Sequence, residues 1–132
     1  ILTPADALYL DMKDSEDSAL GLVWAGGPTS VERAYAWEPG AVLDGVAEPD
    51  ILGVEAPLWT ETVRSADEID TLMFPRLAAA AEAAWSLATN THPLRTWESF
   101  RRRVGALDGL WSALGIRFRR SPKIPWSGEG AS

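Results

Sequence analysis

The sequence has 132 residues, of which 46% are hydrophobic and 23% are charged, so it predicts a folded domain or part of one rather than a disordered chain. A formal net charge of −7 argues against nucleic acids and anionic membranes as general partners. The absence of Cys excludes a disulfide framework and a thiolate metal site, and no apolar run reaches membrane-spanning length.

The first half of the chain predicts two strands separated by one short helix. Residues 7–12 form the first short apolar run, which is typical of a strand. Thr29 and Glu32 have the spacing of a capping box, so a helix is predicted to begin there. Residues 51–63 predict a second, buried strand that ends in aromatic and polar residues.

The second half predicts helices. Ser65 and Glu68 form a second capping box, and residues 77–87 are rich in Ala, which favours a helix. Thr96 is the predicted cap of the last helix. Apolar residues recur along one face of that helix at three- and four-residue steps: Trp97, Phe100, Val104, Leu107, Trp111 and Leu114.

The order of predicted elements is strand, helix, strand, helix, helix, which is two consecutive βα units and a trailing helix. Parallel strands are normally covered on both faces and need neighbouring strands, which two units do not supply. The chain also opens on Ile1 rather than Met. We therefore expect residues 1–132 to be a trimmed or excised part of a larger α/β fold, with residues 122–132 as an irregular tail. For the same reason, the lack of a visible signal peptide says nothing about localisation.

Two strand ends carry an aromatic residue and a carboxylate two positions apart. Trp59 and Glu61 end the second strand, and Tyr9 and Asp11 end the first. Side chains two residues apart lie on the same side of an extended chain, so each pair is predicted to point together. An indole packs on the apolar face of a sugar ring, and a carboxylate accepts hydrogen bonds from its hydroxyls. The pattern therefore indicates a sugar-binding site. The alternative is that Tyr9 fills the core and Asp11 caps a loop.

The seven Trp residues divide by context. Three at helical spacing are expected to pack in the interior: Trp85, Trp97 and Trp111. Two beside Pro-containing segments are expected to cover the ends of elements: Trp37 and Trp126. Trp24 and Trp59 lie in a loop and at a strand end, where they are candidates for ligand contact.

The remaining chemistry-bearing residues indicate no metal or cofactor site. His92 precedes a Pro in a loop without partner spacing, so we expect it at the surface. No phosphate-binding loop, nucleophile elbow or zinc-binding helix motif is present. The basic residues of the last third are expected to form a solvated or interdomain surface rather than a phosphate site: Arg101, Arg102, Arg103, Arg117, Arg119, Arg120 and Lys123.

Several separated motifs together resemble the C-terminal part of family 20 glycoside hydrolases, the β-N-acetylhexosaminidases. The motifs are Tyr-Leu-Asp at 9–11, Trp24, Tyr-x-Trp-x-Pro at 35–39, Gly-Val-Glu-Ala-Pro-Leu-Trp-Thr-Glu at 53–61, Met-Phe-Pro-Arg-Leu at 73–77, Ala-Glu-x-x-Trp at 81–85 and the ending at 115–125. The resemblance implies that the two strands are the seventh and eighth of a (β/α)8 barrel. It also implies removal of terminal N-acetylglucosamine or N-acetylgalactosamine from glycans such as chitin by substrate-assisted hydrolysis, without a cofactor.

The resemblance assigns a role to each predicted site residue. Tyr9 would donate a hydrogen bond to the carbonyl oxygen of the substrate's acetamido group, and Asp11 would bind the 6-hydroxyl. Trp59 would form one wall of the pocket around the acetamido methyl, and Glu61 would accept from the 4-hydroxyl. Trp24 matches a Trp that lines the site.

One departure from the family pattern concerns the general acid, which is the Glu of an Asp-Glu pair. The only Asp-Glu dipeptide here is Asp67-Glu68, in the first turn of a predicted helix, where the charges suit the helix N-terminus. We therefore expect the chain alone to be inactive, and to self-associate or to pair with the missing N-terminal portion of the barrel. Two alternatives stay open: a non-catalytic glycan-binding domain, and a helical interaction domain that uses the Arg-rich last helix.

Overall fold

The computed structural model describes residues 1–130, which form short α-helices joined by extended segments and turns. The helices are α1 (Ala5–Leu8), α2 (Val31–Ala36), α3 (Ala66–Met73), α4 (Arg76–Trp85), α5 (Trp97–Gly105) and α6 (Asp108–Ala113). Single 3-10 turns occur at Pro39–Ala41, Glu48–Asp50 and Ser127–Gly130. Within residues 1–130, no helix has the length and apolar character needed to cross a bilayer. The predicted tail ends at residues 131 and 132, which lie outside the described residues.

The predicted first strand is wrong for most of its length, because α1 occupies its beginning. Pro4 precedes the helix, and its carbonyl oxygen accepts hydrogen bonds from the amides of Ala7 and Leu8. Pro is pre-organised for a helix start, Ala favours helix, and Asp6 complements the partial positive charge of the N-terminus. Local preferences therefore outweigh the strand pattern here.

Strand pairing is reduced to two isolated parallel bridges within residues 1–130, Leu2 with Val54 and Met12 with Leu22. In the first, the amide of Leu2 donates to the carbonyl of Gly53 and the amide of Glu55 donates to the carbonyl of Leu2, both at 2.9 Å. The chain near residue 2 therefore runs parallel to the predicted second strand, but neither segment becomes a continuous strand.

Helix starts follow the sequence more closely. The hydroxyls of Ser65 and Thr96 cap α3 and α5 as predicted, each accepting a hydrogen bond from the amide three residues later. In α2 the cap is Ser30, one residue after the predicted Thr29. These caps follow the sequence because the hydroxyl and the amide that donates a hydrogen bond to it belong to the same helical turn.

The predicted last helix is divided into α5 and α6 by a turn at residues 106 and 107. Trp111 is buried as predicted, whereas Leu114 is 65% exposed. Gly115 has a φ of +76°, a left-handed conformation that suits the predicted helix stop. Trp85 was predicted to lie in the interior. This prediction is wrong, because the Trp85 side chain is 90% exposed in the described structure.

Helix α4 is central, because its alanines enter two apolar groups. The larger group joins α2, α4, α5 and α6 to the end of the chain: Val31, Ala34, Tyr35, Ala79, Phe100, Val104, Trp111, Ile124 and Trp126. The smaller group joins α1, α4 and the start of the chain: Leu2, Ala7, Leu8, Trp37, Ala80 and Ala83. The second group underlies the segment that carries Tyr9 and Asp11.

Ion pairs involve most of the basic side chains in the last third. The pairs are Arg101 with Glu98, Arg103 with Glu82, Arg117 with Asp67, Arg119 with Asp14, Arg120 with Asp108, and Lys123 with Glu32. The half-exposed Arg120 guanidinium donates two hydrogen bonds of 2.7 Å to the buried Asp108, and they hold the pKa of Asp108 below its usual value. This cationic surface is therefore largely neutralised by the chain's own acids.

Replacing Gly105 with Ala is expected to destabilise the fold by about 1–3 kcal/mol. Gly105 ends α5 against the chain's last turns, and an added Cβ would lie 2.2 Å from the carbonyl oxygen of Pro125. Urea unfolding measures the change in free energy. Gly109→Ala is the matched control, because its Cβ would meet nothing within 4 Å. Equal stability of the two variants would contradict this close approach.

Candidate active site

The Tyr9–Asp11 segment is a turn that follows α1 and is tied to two other segments. The amide of Leu10 donates to the carbonyl of Pro57 at 2.8 Å, and the amide of Leu22 donates to the carbonyl of Asp11 at 2.8 Å. Pro57 lies two residues before Trp59, and Leu22 lies two residues before Trp24. The backbone therefore brings together the three segments that carry the predicted site residues.

Tyr9 and Asp11 were predicted to point to the same side because they were placed on an extended strand, and no strand is present there. Leu10 and Asp11 lie in a turn rather than a strand, with the amide of Met12 bonded to the carbonyl of Tyr9 at 3.2 Å. Side-chain alternation applies to extended chain only. The two residues accordingly differ in environment, since Tyr9 is half-buried and Asp11 is buried.

Tyr9 packs against Trp24 edge to face, with ring centroids 5.5 Å apart and ring planes at 82°. This geometry is favourable for two aromatic rings. Trp24 keeps 60% of its surface exposed. The Tyr9 hydroxyl has no hydrogen-bond partner among residues 1–130, so it is available to a ligand.

Asp11 is the least expected member of the site. It is 1% exposed, and neither carboxylate oxygen has a hydrogen-bond partner in the described part of the chain. A buried carboxylate without partners is costly, and such groups are rare in folded proteins. The burial of Asp11 therefore has an energetic cost that no hydrogen bond within the described residues offsets.

Arg76 lies beneath this turn and is 2% exposed. Its guanidinium donates to four carbonyl oxygens, those of Leu10 at 2.5 Å, Met12 at 2.8 Å, Thr29 at 3.2 Å and Leu72 at 2.7 Å. Burial lowers the pKa of Arg76 to about 10, although the charges of Asp14 and Asp11 oppose this shift. The side chain therefore remains a cation at neutral pH.

The sequence interpretation missed Arg76 as a residue of the site. A signal was present, because Arg76 precedes Ala79, Ala80 and Ala83 at three-, four- and seven-residue steps on the buried side of α4. A charged residue on an otherwise apolar helix face indicates a buried polar contact.

Trp59 and Glu61 are both exposed. Trp59 is 54% exposed, and Glu61 is exposed in a turn in which the amide of Val63 donates to the carbonyl of Thr60. Among residues 1–130, neither side chain shares a ring contact or hydrogen bond with Tyr9, Asp11 or Trp24. Trp24, Trp59 and Glu61 are thus exposed, Tyr9 is half-buried and Asp11 is buried, so the five predicted residues do not share one open surface.

A cavity of about 410 Å³ lies elsewhere, between the end of α4, the following loop and α5. Trp85, His92, Arg95 and Arg103 are among its lining residues, and none of the five predicted site residues lines it. His92 is exposed there, as predicted. Residues 1–130 contain no cluster of three His, Asp or Glu side chains arranged to hold a metal ion.

The model of the family described as glycosyl hydrolase family 20, catalytic domain, matches residues 1–88. A β-N-acetylhexosaminidase of Cellulomonas fimi is 38% identical over 132 residues, which is all of this chain and 26% of that protein.

Two solved structures are also similar. A family 20 β-N-acetylglucosaminidase is 64% identical with a TM-score of 0.91, covering 96% of this chain and 27% of that chain. A mutant Streptomyces plicatus β-hexosaminidase in complex with its product, N-acetylglucosamine, is 47% identical with a TM-score of 0.85, covering 94% of this chain and 24% of that chain. The chain therefore spans about a quarter of the length of these proteins.

Proposed function

Because the chain belongs to glycosyl hydrolase family 20, we propose that it forms one side of the sugar pocket of a β-N-acetylhexosaminidase. Such an enzyme removes terminal N-acetylglucosamine or N-acetylgalactosamine from glycans. The observation that carries the proposal is the buried, unpartnered carboxylate of Asp11 in a turn that is hydrogen-bonded to the segments bearing Trp24 and Trp59. Exposed indoles beside a free carboxylate suit a ligand that has both an apolar ring face and hydroxyl groups.

The proposed residue roles are those that the resemblance to family 20 implies. Tyr9, held edge-on by Trp24, donates its free hydroxyl to the acetamido carbonyl oxygen. Asp11 accepts from the 6-hydroxyl, Trp59 forms a wall around the acetamido methyl, and Glu61 accepts from the 4-hydroxyl. In substrate-assisted hydrolysis the acetamido oxygen attacks the anomeric carbon, so a donor and an apolar wall that hold this group promote the reaction.

For the fold, the proposal is that the chain supplies the seventh and eighth strands of a (β/α)8 barrel, followed by a trailing helix. The parallel bridge between Leu2 and Val54, with α2 in the intervening chain, supports this arrangement. Each strand of a closed barrel pairs with a neighbouring strand on both sides. Further strands beside the two segments that Leu2 and Val54 join would extend this single bridge into a continuous ladder. Residues 1–132 are then the C-terminal part of the catalytic domain, with residues 122–132 as its tail.

The general acid is proposed to lie outside this chain. Glu68 belongs to the single Asp-Glu pair. Its carboxylate accepts a hydrogen bond from the amide of Arg64, and its own amide donates to the hydroxyl of Ser65, the cap of α3. Its carboxylate therefore serves the start of α3, away from the sugar site. Without an acid to protonate the leaving group, the chain alone should not hydrolyse a glycoside.

The partner is proposed to be the remainder of a family 20 domain. Exposed apolar side chains extend around the end of α4 and the 51–54 segment, including Trp85 at 90% and Leu52 at 88%. Apolar surface of this kind is normally covered by protein. Because the relatives are about four times longer, we propose that the rest of such a domain packs against this apolar surface. Self-association would cover the same surface in the isolated chain, and light scattering measures it.

The proposed function is tested by a hybrid in which the matching part of the Cellulomonas fimi enzyme is replaced by this chain. We expect the hybrid to hydrolyse an aryl N-acetyl-β-glucosaminide and the isolated chain to show no turnover. A hybrid that elutes as a folded protein but lacks activity would show that the proposed role is wrong. Turnover by the isolated chain would show that the acid is not missing.

A second candidate is a glycan-binding domain without catalysis, which the exposed Trp24 and Trp59 favour. Saturable binding of N-acetylglucosamine by the isolated chain, combined with an inactive hybrid, would support this function. The helical interaction domain is less favoured, because Arg101 and Arg103 are already paired with Glu98 and Glu82.

Replacing Trp59 with Ala is expected to weaken N-acetylglucosamine binding by about 1.5–3 kcal/mol, which is roughly tenfold to 150-fold in Kd. The lost indole would otherwise cover the acetamido methyl. Calorimetric titration of the hybrid measures the change. Arg102→Ala is the control, because Arg102 is exposed and its side chain donates to the Glu98 carbonyl within α5, so its loss should leave binding unchanged. An equal loss in both variants would contradict the role of Trp59.

A further inference from the structure

Arg76 has no role in the chemistry proposed above, yet its contacts converge on the site. Its guanidinium donates to the carbonyl of Leu10 at 2.5 Å and to the carbonyl of Met12 at 2.8 Å. These two residues lie on either side of Asp11. The remaining contacts, with Thr29 and Leu72, join the same guanidinium to the start of α2 and the end of α3.

The direction of the Asp11 carboxylate depends on the backbone that carries it. No hydrogen bond within the described residues restrains either carboxylate oxygen. The backbone of Asp11 is restrained by Leu22, whose amide donates to the Asp11 carbonyl, and by Arg76 through the two flanking carbonyls. Of these restraints, Arg76 is the one made by a side chain.

Arg76 also places positive charge near Asp11 without occupying its oxygens. Within residues 1–130, all four hydrogen bonds of the guanidinium go to backbone carbonyls. A buried anion is less costly near a buried cation, because the interaction is strong in a medium of low polarity. The carboxylate thus gains electrostatic support and keeps its lone pairs free for hydroxyl donors of a ligand.

We propose that Arg76 is a positioning residue for sugar binding, holding the carbonyls on both sides of Asp11 so that its carboxylate is presented to the ligand. This rests on the proposed function, in which Asp11 accepts from the 6-hydroxyl. The required geometry is specific to Arg: a planar fork with five N–H donors reaches several carbonyls at once, whereas a Lys ammonium is a compact group with three donors.

The first arm of the test uses amide hydrogen exchange in the 132-residue chain. The Arg76→Lys variant should exchange the amides of Lys13 and Leu22 about tenfold faster or more, because their bonds hold the Asp11 turn. Arg95→Lys is the matched control. Arg95 is 3% exposed and donates to the Leu87 carbonyl, away from this turn, so the variant should leave both amides unchanged.

The second arm compares binding of N-acetylglucosamine by the hybrid with binding of its 6-deoxy analogue. In the hybrid that carries the unmodified chain, loss of the 6-hydroxyl should weaken binding about tenfold, as expected for a hydrogen bond to a charged group. In Arg76→Lys and in Asp11→Asn the two ligands should bind within about twofold of each other. Arg95→Lys should keep the full tenfold ratio.

The outcomes separate this inference from the proposed function. If Arg76→Lys weakens both ligands equally and the ratio stays near tenfold, Arg76 has a structural role only, and the role of Asp11 stands. If the hybrid that carries the unmodified chain shows no dependence on the 6-hydroxyl, or no saturable binding, the role of Asp11 is overturned and the inference with it. Arg76→Gln, a neutral donor, is the second variant if Arg76→Lys does not fold, and a wild-type ratio in this variant would also overturn the inference.

Discussion

Replacing Tyr9 with Phe is expected to lower kcat of the hybrid enzyme by about 100-fold to 1000-fold, or about 2.7–4 kcal/mol. The change removes a single hydroxyl, which has no partner within residues 1–130 and is proposed to donate to the acetamido oxygen. Because this donor acts most strongly when the acetamido group attacks the anomeric carbon, kcat should fall much more than KM changes. Steady-state kinetics with an aryl N-acetyl-β-glucosaminide measures both constants.

The matched control is Tyr35→Phe. Tyr35 and Tyr9 are the two tyrosines of the chain, and Tyr35 is 1% exposed in the larger apolar group. Its hydroxyl donates to Glu82 at 3.5 Å, at the limit of a hydrogen bond, so its loss should leave kcat nearly unchanged. A similar fall in kcat for both variants would indicate a general loss of structure, and the role of Tyr9 would be wrong.

Replacing Arg76 with Met is expected to destabilise the chain by about 3–5 kcal/mol, a large part of the total stability of an ordinary small domain. Met keeps much of the side-chain volume but leaves the carbonyls of Leu10, Met12, Thr29 and Leu72 without their shared donor. Buried acceptors that lose a charged donor retain their desolvation cost. Urea unfolding followed by circular dichroism measures the loss.

Arg102→Met is the control for this change, because Arg102 is exposed and its side chain donates only to the Glu98 carbonyl, one turn away in α5. Its replacement should change the free energy of unfolding by about 0.5 kcal/mol or less. If Arg76→Met were as stable as Arg102→Met, the four hydrogen bonds would contribute little, and the buried guanidinium could not organise the turn.

Local features were predicted best. The caps at Ser65 and Thr96 and the stop at Gly115 follow from residues within one helical turn, so short-range chemistry decides them. The cap of α2 was misplaced by one residue, because Thr29 and Ser30 are adjacent residues of similar capping preference.

Strands were predicted less well, because a strand depends on a partner that local sequence does not specify. Residues 5–8 follow Pro4 and contain two alanines, with Asp6 in the first turn. They form α1, which overlaps the start of the predicted strand. Within residues 1–130, the 51–63 segment forms one bridge, at Leu2, and one further long-range backbone hydrogen bond, from Leu10 to Pro57. Apolar patterning identifies segments that suit burial, whereas pairing is decided by neighbouring segments.

The site was predicted as a set of residues and only partly as a geometry. Residue types at 9, 11, 24, 59 and 61 indicated a sugar site, and hydrogen bonds between their segments now connect them. The alternation argument for Tyr9 and Asp11 failed, because a turn replaces the strand. The exposure of Trp85 was also not predicted. Helical spacing shows which residues share one face of a helix, but it does not show whether another segment packs against that face.

By itself, the sequence determined the family resemblance, the starts of α3 and α5 and the residue types of the proposed sugar site, since each depends on short motifs or on local hydrogen bonds. Only the tertiary structure decided that Asp11 is buried without a partner and that Arg76 holds the carbonyls beside it. These contacts join residues more than sixty positions apart, between α4 and the turn after α1. The physical reason is that burial and hydrogen-bond satisfaction depend on which distant segments pack together, and no local pattern encodes that choice.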